Sequence, residues 1–189
     1  MRIELSVRDQ LISTYGKQLA KLGDKADRAL ARAMNHTGRK ARTQVRRALA
    51  TQTGLARKTI VKAVREVRAK PQSLSYILRT RGGDISLKYF KPRETRAGVT
   101  AAPFGKRQLF AGTFVKGGRF PGRVTLNMGG HVYRNIEGGK WGGRVELVDS
   151  GVVIPEQLVT GETARSWEHL MSSDLVPRVG HELKRILSK

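Results

Sequence analysis

The sequence predicts an α+β protein in which a long N-terminal amphipathic helix packs on a small, mainly antiparallel β-sheet and a C-terminal helix completes the fold. Three observations carry this. Apolar residues recur every three or four positions from about Leu19 to Leu49, short strand-like runs separated by glycine fill the middle, and a helical period returns after Glu162. A chain of 189 residues suits one domain with its own core. Within 1–189, residues 1–70 read as a basic helical part, 71–155 as a glycine-rich β part and 156–189 as a C-terminal helical part.

In the first helix Leu22, Ala26, Ala29, Leu30, Ala33, Thr37, Ala41, Val45 and Ala48 form one stripe. Arg28, Arg32, Asn35, Arg39, Arg42 and Arg46 fall on the opposite face, an arginine rail about 27 Å long at 1.5 Å per residue, with Arg47 beside it. Thr51-Gln52-Thr53-Gly54 reads as a turn, followed by a short helix through Leu55, Thr59, Ile60 and Ala63 that carries Arg57 and Lys58.

Strand-like runs follow at 73–79, 85–90, 109–115, 123–128, 131–136 and 144–148, bounded by glycine-rich turns. Such short segments suit an antiparallel meander, not a βαβ array. Lys116-Gly117-Gly118-Arg119 and the segment 138–143, with Trp141 as an anchor, read either as mobile hairpin tips or as loops that order on binding. From Glu162 the apolar positions Ala164, Trp167, Leu170, Met171, Leu175, Val179, Leu183, Ile186 and Leu187 describe helix, kinked or restarted near Pro177.

A net charge of +22 self-repels unless an acidic partner offsets it. The charge is unevenly placed: residues 1–70 hold 18 basic and 5 acidic side chains, 71–145 hold 14 and 3, and 146–189 hold 5 and 7. Between Asp27 and Glu66 there is no acidic residue, although an ordinary solvated helix face mixes signs. Arginine's planar fork also suits phosphate. Arg28, Arg32, Arg39, Arg42, Arg46, Arg47, Arg57 and Lys58 are therefore the candidate contacts to a polyanion, either DNA or an acidic protein.

Nothing in the chain points to catalysis. No cysteine is present, which removes disulfides, thiolate metal sites and cysteine nucleophiles. His36, His131, His169 and His181 lack paired-ligand spacing, so no metal or cofactor is expected; His36 lies beside the rail as a phosphate neighbour. Asp84, Glu94 and Glu137 are the central part's carboxylates before Glu146, a poor set for a two-metal nuclease. No P-loop, nucleophile elbow, zinc finger, basic zipper or RNP strand occurs, so nucleic-acid contact is expected at phosphates without base specificity. MRIELSVRDQ contains no apolar signal segment and no run approaches the roughly 20 apolar residues of a membrane span, so a cytoplasmically made protein without a membrane partner is expected.

The order of these segments resembles the minor tail protein Z family, the tail-completion proteins of tailed bacteriophages and prophages. ALARAMNHTGRKARTQVRRALATQTGLARKTIVKAV resembles the family's Ala-rich basic helix and the Lys/Arg-rich segment after it. ISLKYF is similar to the apolar stretch ending in Phe, here Phe90, and LFAGTFV to the element that places Gly112 and Phe114. GGHVYRN resembles the aliphatic-aromatic-Arg strand, with Tyr133 as its aromatic, and VELVDSGVVIPEQLV and LVPRVGHEL are similar to the approach to the C-terminal helix and that helix. The chain departs from the pattern at Thr113, where a small apolar residue is commoner, and in VELVDSG, which lacks the proline before the strand.

The resemblance implies a structural, non-enzymatic subunit that completes the head-proximal end of the tail and helps join it to the head. It implies assembly in the host cytoplasm into the virion, with other tail and neck proteins, double-stranded DNA and further copies in a ring of about six as partners. Six copies would carry roughly +130, which only DNA, acidic tail proteins or counterions could screen. The rival reading is a sequence-independent nucleic-acid-binding protein of the nucleoid or ribosome-associated type.

Overall fold

Alanine at 26, 29, 33 and 41 gives one side of the long helix so little bulk that a second helix can lie directly on it, and this pairing organises the molecule. The computed structural model describes residues 1–5, 9–137 and 143–188. Trp141 lies outside them. The chain begins with β1 (Arg2–Leu5) and α1 (Asp9–Leu22), breaks at Gly23, and continues as α2 (Asp24–Thr53). The predicted helix is thus longer at its end and interrupted near its start. Thr51, Gln52 and Thr53 complete its last turn instead of leaving it, because the left-handed residue that ends a helix is Gly54 (φ 76°), whose N–H returns to the Ala50 carbonyl. A β-carbon there would also strike the backbone of Gly105 at 2.5 Å.

The short helix α3 (Arg57–Ala63) runs into β2 (Arg65–Val67), and β3 (Tyr76–Arg79) pairs with both β1 and β2. The segment read as a strand over 85–90 divides into β4 (Asp84–Ser86) and a 3-10 turn over Leu87–Phe90 that buries Leu87 and Phe90. β5 (Arg93–Thr95), β6 (Gly98–Ala101) and β7 (Gln108–Ala111) make an antiparallel meander. Next come β8 (Thr113–Phe114), β9 (Lys116–Gly117), β10 (Val124–Thr125), β11 (Tyr133–Asn135), β12 (Val145–Leu147) and β13 (Asp149–Val153). All pairings are antiparallel, in the separate groups β1-β3-β2, β5-β6-β7, β12-β11-β8, β13-β4 and β10-β9. The class is α+β as expected, but in place of a single sheet the described residues form five small ones.

α4 (Ile154–Leu158) leads into α5 (Gly161–Leu187), one helix that runs through Pro177 without restarting. The Tyr15 hydroxyl of α1 donates to the Val176 carbonyl, next to that proline. Leu175, Val179 and Leu183 of α5 join Ala33, Ala41, Val45 and Leu49 of α2, Tyr76 and Leu78 of β3, and Leu158 of α4 in one core. No helix among the described residues is long and apolar enough to cross a membrane.

Candidate anion-binding cleft

The polar face of α2 does not project as a ridge. It is the floor of a trough walled by α5 on one side and by the end of α3 with β2 and the residues after it on the other. Toward α5, Thr37 Oγ1 donates to Asp174 Oδ2 at 2.7 Å, Lys40 Nζ to Asp174 Oδ1 at 2.5 Å, and Arg32 Nε to Glu182 Oε2 at 3.1 Å. On the opposite side the Asn35 amide both donates to the Ala69 carbonyl and accepts its N–H, at 2.8 and 3.0 Å. Arg42 pairs with Glu66 at 2.8 Å, and Arg46 donates to the carbonyls of Val61 and Val64, which the end of α3 leaves without helical partners.

The trough therefore divides the predicted contact set. Arg32, Arg42 and Arg46 are tied to the fold. Arg28, Arg47, Arg57 and Lys58 are exposed and have no ion pair among the described residues. Arg39 is also exposed, with its Nε on the Asn35 carbonyl.

At the middle of the trough the walls enclose a cleft of about 370 Å³. Arg32 and Arg39 from α2, Arg68 beyond β2, and Arg178 and Arg185 from α5 converge on it, with Asn35 and His36 in the floor and Glu182 as the one carboxylate among the described lining residues. Glu182 is only 1% exposed, and three guanidiniums share it: Arg178 at 2.6 Å, Arg32 at 3.1 Å and Arg185 at 3.3 Å. A buried carboxylate needs such partners, but three cations on one anion leave the group net positive. The Arg178 Nε and the His36 Nδ1 are buried with no hydrogen-bond partner among the described residues.

Burial lowers the pKa of His36, and the nearby charges of Arg178 and Lys40 lower it further against the opposing pull of Asp174, so the imidazole is neutral at neutral pH. For Asp174 burial alone would raise the pKa, but hydrogen bonds from Lys40 and Thr37 outweigh it and the net shift is downward. Glu66 follows the same balance: burial opposes ionisation, and donors from Tyr76 and Arg68 with the charge of Arg42 prevail. Burial and the Glu66 carboxylate together push the Tyr76 hydroxyl well above its ordinary value, so it serves only as a donor.

Arg68, Arg178, Glu182 and Arg185 were not among the residues expected from sequence. The last three stand at i, i+4 and i+7 on one helix face, a detectable spacing, but the near-neutral charge of the C-terminal quarter conceals it.

The family-motif positions lie elsewhere. Phe90 is buried, Gly112 separates β7 from β8, and the half-buried Phe114 and Tyr133 face one another across a strand pair with ring centroids 6.4 Å apart. A hollow of about 670 Å³ beside them is bounded by Phe114, Leu126, Met128 and Val145, with Arg119 and Arg123 at its edge.

The central carboxylates are engaged by the fold. Asp84 accepts from the Ser150 N–H and hydroxyl, Glu94 from Arg123 and the Val115 N–H, and Glu137 from the Arg144 N–H. No three His, Asp or Glu side chains converge among the described residues. His131 bridges Ser86 and Lys88, at 2.8 and 2.7 Å. Because an ammonium can only donate, it occupies the Nε2 lone pair and leaves Nδ1–H to donate to Ser86. That imidazole has no lone pair with which to take the serine proton. No protein-family model, no curated protein and no solved structure matches the chain.

Proposed function

We propose that the protein is a structural subunit of a tailed bacteriophage that completes the head-proximal end of the tail beside the path of double-stranded DNA. The observation that carries the reading is the basic surface of α2 and the start of α3, a stretch without acidic residues between Asp27 and Glu66 whose open cations, Arg28, Arg39 and Arg47 on α2 and Arg57 and Lys58 on α3, have no ion pair among the described residues. Such a surface engages phosphates irrespective of base sequence. The order of sequence segments resembling the minor tail protein Z family supplies the tail setting. Exposed Leu109, Val124, Val145 and Leu147 on the small sheets, with Ile136 just after β11, suit contacts with neighbouring subunits, the chain's own copies included.

A second reading keeps the tail but replaces DNA with an acidic protein neighbour. It is favoured by the carboxylates of Glu66, Asp174 and Glu182, which already occupy cations of this same trough. Binding of a short duplex over a salt series separates the two. The DNA reading expects sequence-indifferent binding that falls steeply with salt, and an absence of duplex binding at low salt overturns it. Deletion of the gene tests the tail setting. Full heads beside unjoined tails are expected, whereas normal joined particles, or a gene lying apart from head and tail genes, would favour a nucleoid or ribosome-associated nucleic-acid binder.

A further inference from the structure

We infer that the cleft between α2, the residues following β2 and α5 is a built site for a single phosphate group, with Arg39, Arg68, Arg178 and Arg185 as ligands, the last two positioned by Glu182. The inference rests on the reading of the α2 trough as an anion-facing surface and narrows it to one place and one chemistry.

The site differs from a scatter of surface charge in how it is held. Glu182, buried beneath the cleft, fixes one nitrogen each of Arg32, Arg178 and Arg185. Each guanidinium has five N–H donors, so clamping one nitrogen of each orients the plane while leaving other donors for an oxyanion. Arg178 Nε is buried with no hydrogen-bond partner among the described residues, as are the Nε atoms of Arg42, Arg46 and Arg123 outside the cleft; of these donors it is the one that lines the cleft and can meet an anion there.

The charge balance points the same way. Five arginines line the cleft against the carboxylate of Glu182, and although Glu66 pairs with Arg68, a large positive excess remains. A carboxylate ligand would neutralise one of these charges, whereas a phosphate carries more charge and offers several acceptor oxygens to converging forks. Asn35 is oriented by Ala69, which takes one of the two amide N–H donors and fills an acceptor position on its oxygen. The phosphate could belong to a nucleic-acid strand or to a free phosphoryl compound, since the recognising chemistry is the same.

The test is calorimetric titration of the full chain with inorganic phosphate at fixed ionic strength. One saturable site per chain is expected. Arg185→Gln, at the half-exposed rim, should weaken it about tenfold, whereas Lys106→Gln, which removes the same charge from an exposed position away from the cleft, should leave it unchanged. Glu182→Gln raises the net charge by one yet should weaken binding, because it loosens the clamp; if that variant fails to fold, the Arg185 and Lys106 pair decides. Absence of a saturable site, or equal weakening by Arg185→Gln and Lys106→Gln, overturns the inference. A duplex that binds when inorganic phosphate does not overturns the pocket while leaving the trough reading intact. Where phosphate binds, its displacement by a short duplex assigns the pocket to a nucleic-acid phosphate, and simultaneous binding assigns it to a free phosphoryl compound.

Discussion

The ring of Tyr76 lies so close to Gly38 in the middle of α2 that a β-carbon on the glycine would sit 2.6 Å from the ring carbons. Mid-helix glycine normally costs roughly 1 kcal/mol against alanine, and here it allows β3 to approach the helix and the Tyr76 hydroxyl to reach Glu66 at 2.5 Å. Gly38→Ala should therefore destabilise the protein by about 1–3 kcal/mol despite its better helix propensity. Urea unfolding checks this; a gain in stability would mean that the ring can move away.

Gln52, in the last turn of α2, holds the start of α5. Its Oε1 accepts from the Thr163 N–H at 3.1 Å and the Thr163 hydroxyl at 3.0 Å, while its Nε2 donates to Gln157. Thr160, at the N-cap position, makes no side-chain cap of its own. Gln52→Ala should cost about 1–2 kcal/mol, as loss of a helix cap does, and hydrogen exchange should rise first at the N-terminus of α5.

Acid should unfold the protein through its trough walls. Asp174 and Glu66 both ionise below their ordinary values of 3.8 and 4.5. The unfolded chain thus takes up the proton first, and the stability from these groups is complete above those values and lost as pH falls through the lower folded ones. Asp174→Asn should lower stability at neutral pH and flatten the acid limb. An unchanged limb would remove Asp174 from this role.

His36 acts at higher pH with the same sign. Its folded pKa lies below the ordinary 6.5, so the unfolded state binds the proton first, and stability declines as pH drops through 6.5 and levels off beneath the folded value. Thermal unfolding at about pH 7.5 and about pH 5.5 should show this decline, and His36→Gln should reduce it.

The rail's two populations should respond differently to mutation. Changing exposed Arg28, Arg39, Arg47 and Arg57 together to Gln should weaken duplex binding by orders of magnitude and reduce its salt slope by up to about one per charge, with little change in stability. Arg42→Gln should cost stability instead, since Glu66 keeps only Arg68 and Tyr76. Equal duplex affinity in the fourfold variant would show that phosphates do not meet this face.

Much of the helical part was legible because its signals are periodic and local. The stripe from Ala26 to Ala48 indicated α2, and the positions from Trp167 to Leu187 indicated helix, although the restart that Pro177 suggested does not occur. The strands were harder, since β8, β9 and β10 have only two residues each, too few for alternation to register, and β1 and β13 find partners far along the chain. The rail was readable as a face, but what borders it was not. Helical periodicity gives the direction of Arg32 and Arg42 from the axis and contains nothing about Glu182 or Glu66 waiting there. The cleft depends on such long-range meetings, so even the detectable spacing of Arg178, Glu182 and Arg185 on α5 gave no sign that they face α2.

Arg32 and Glu182 are 150 residues apart in the chain, and Lys40 and Asp174 are 134 apart. During synthesis the carboxylates that bracket α2 on the α5 side follow it by roughly 7 to 30 s at about 5–20 residues per second. Until α5 has been translated, Arg32 and Lys40 lack the carboxylates that hold them in the folded protein, so the order of this basic surface depends on residues that arrive long after it.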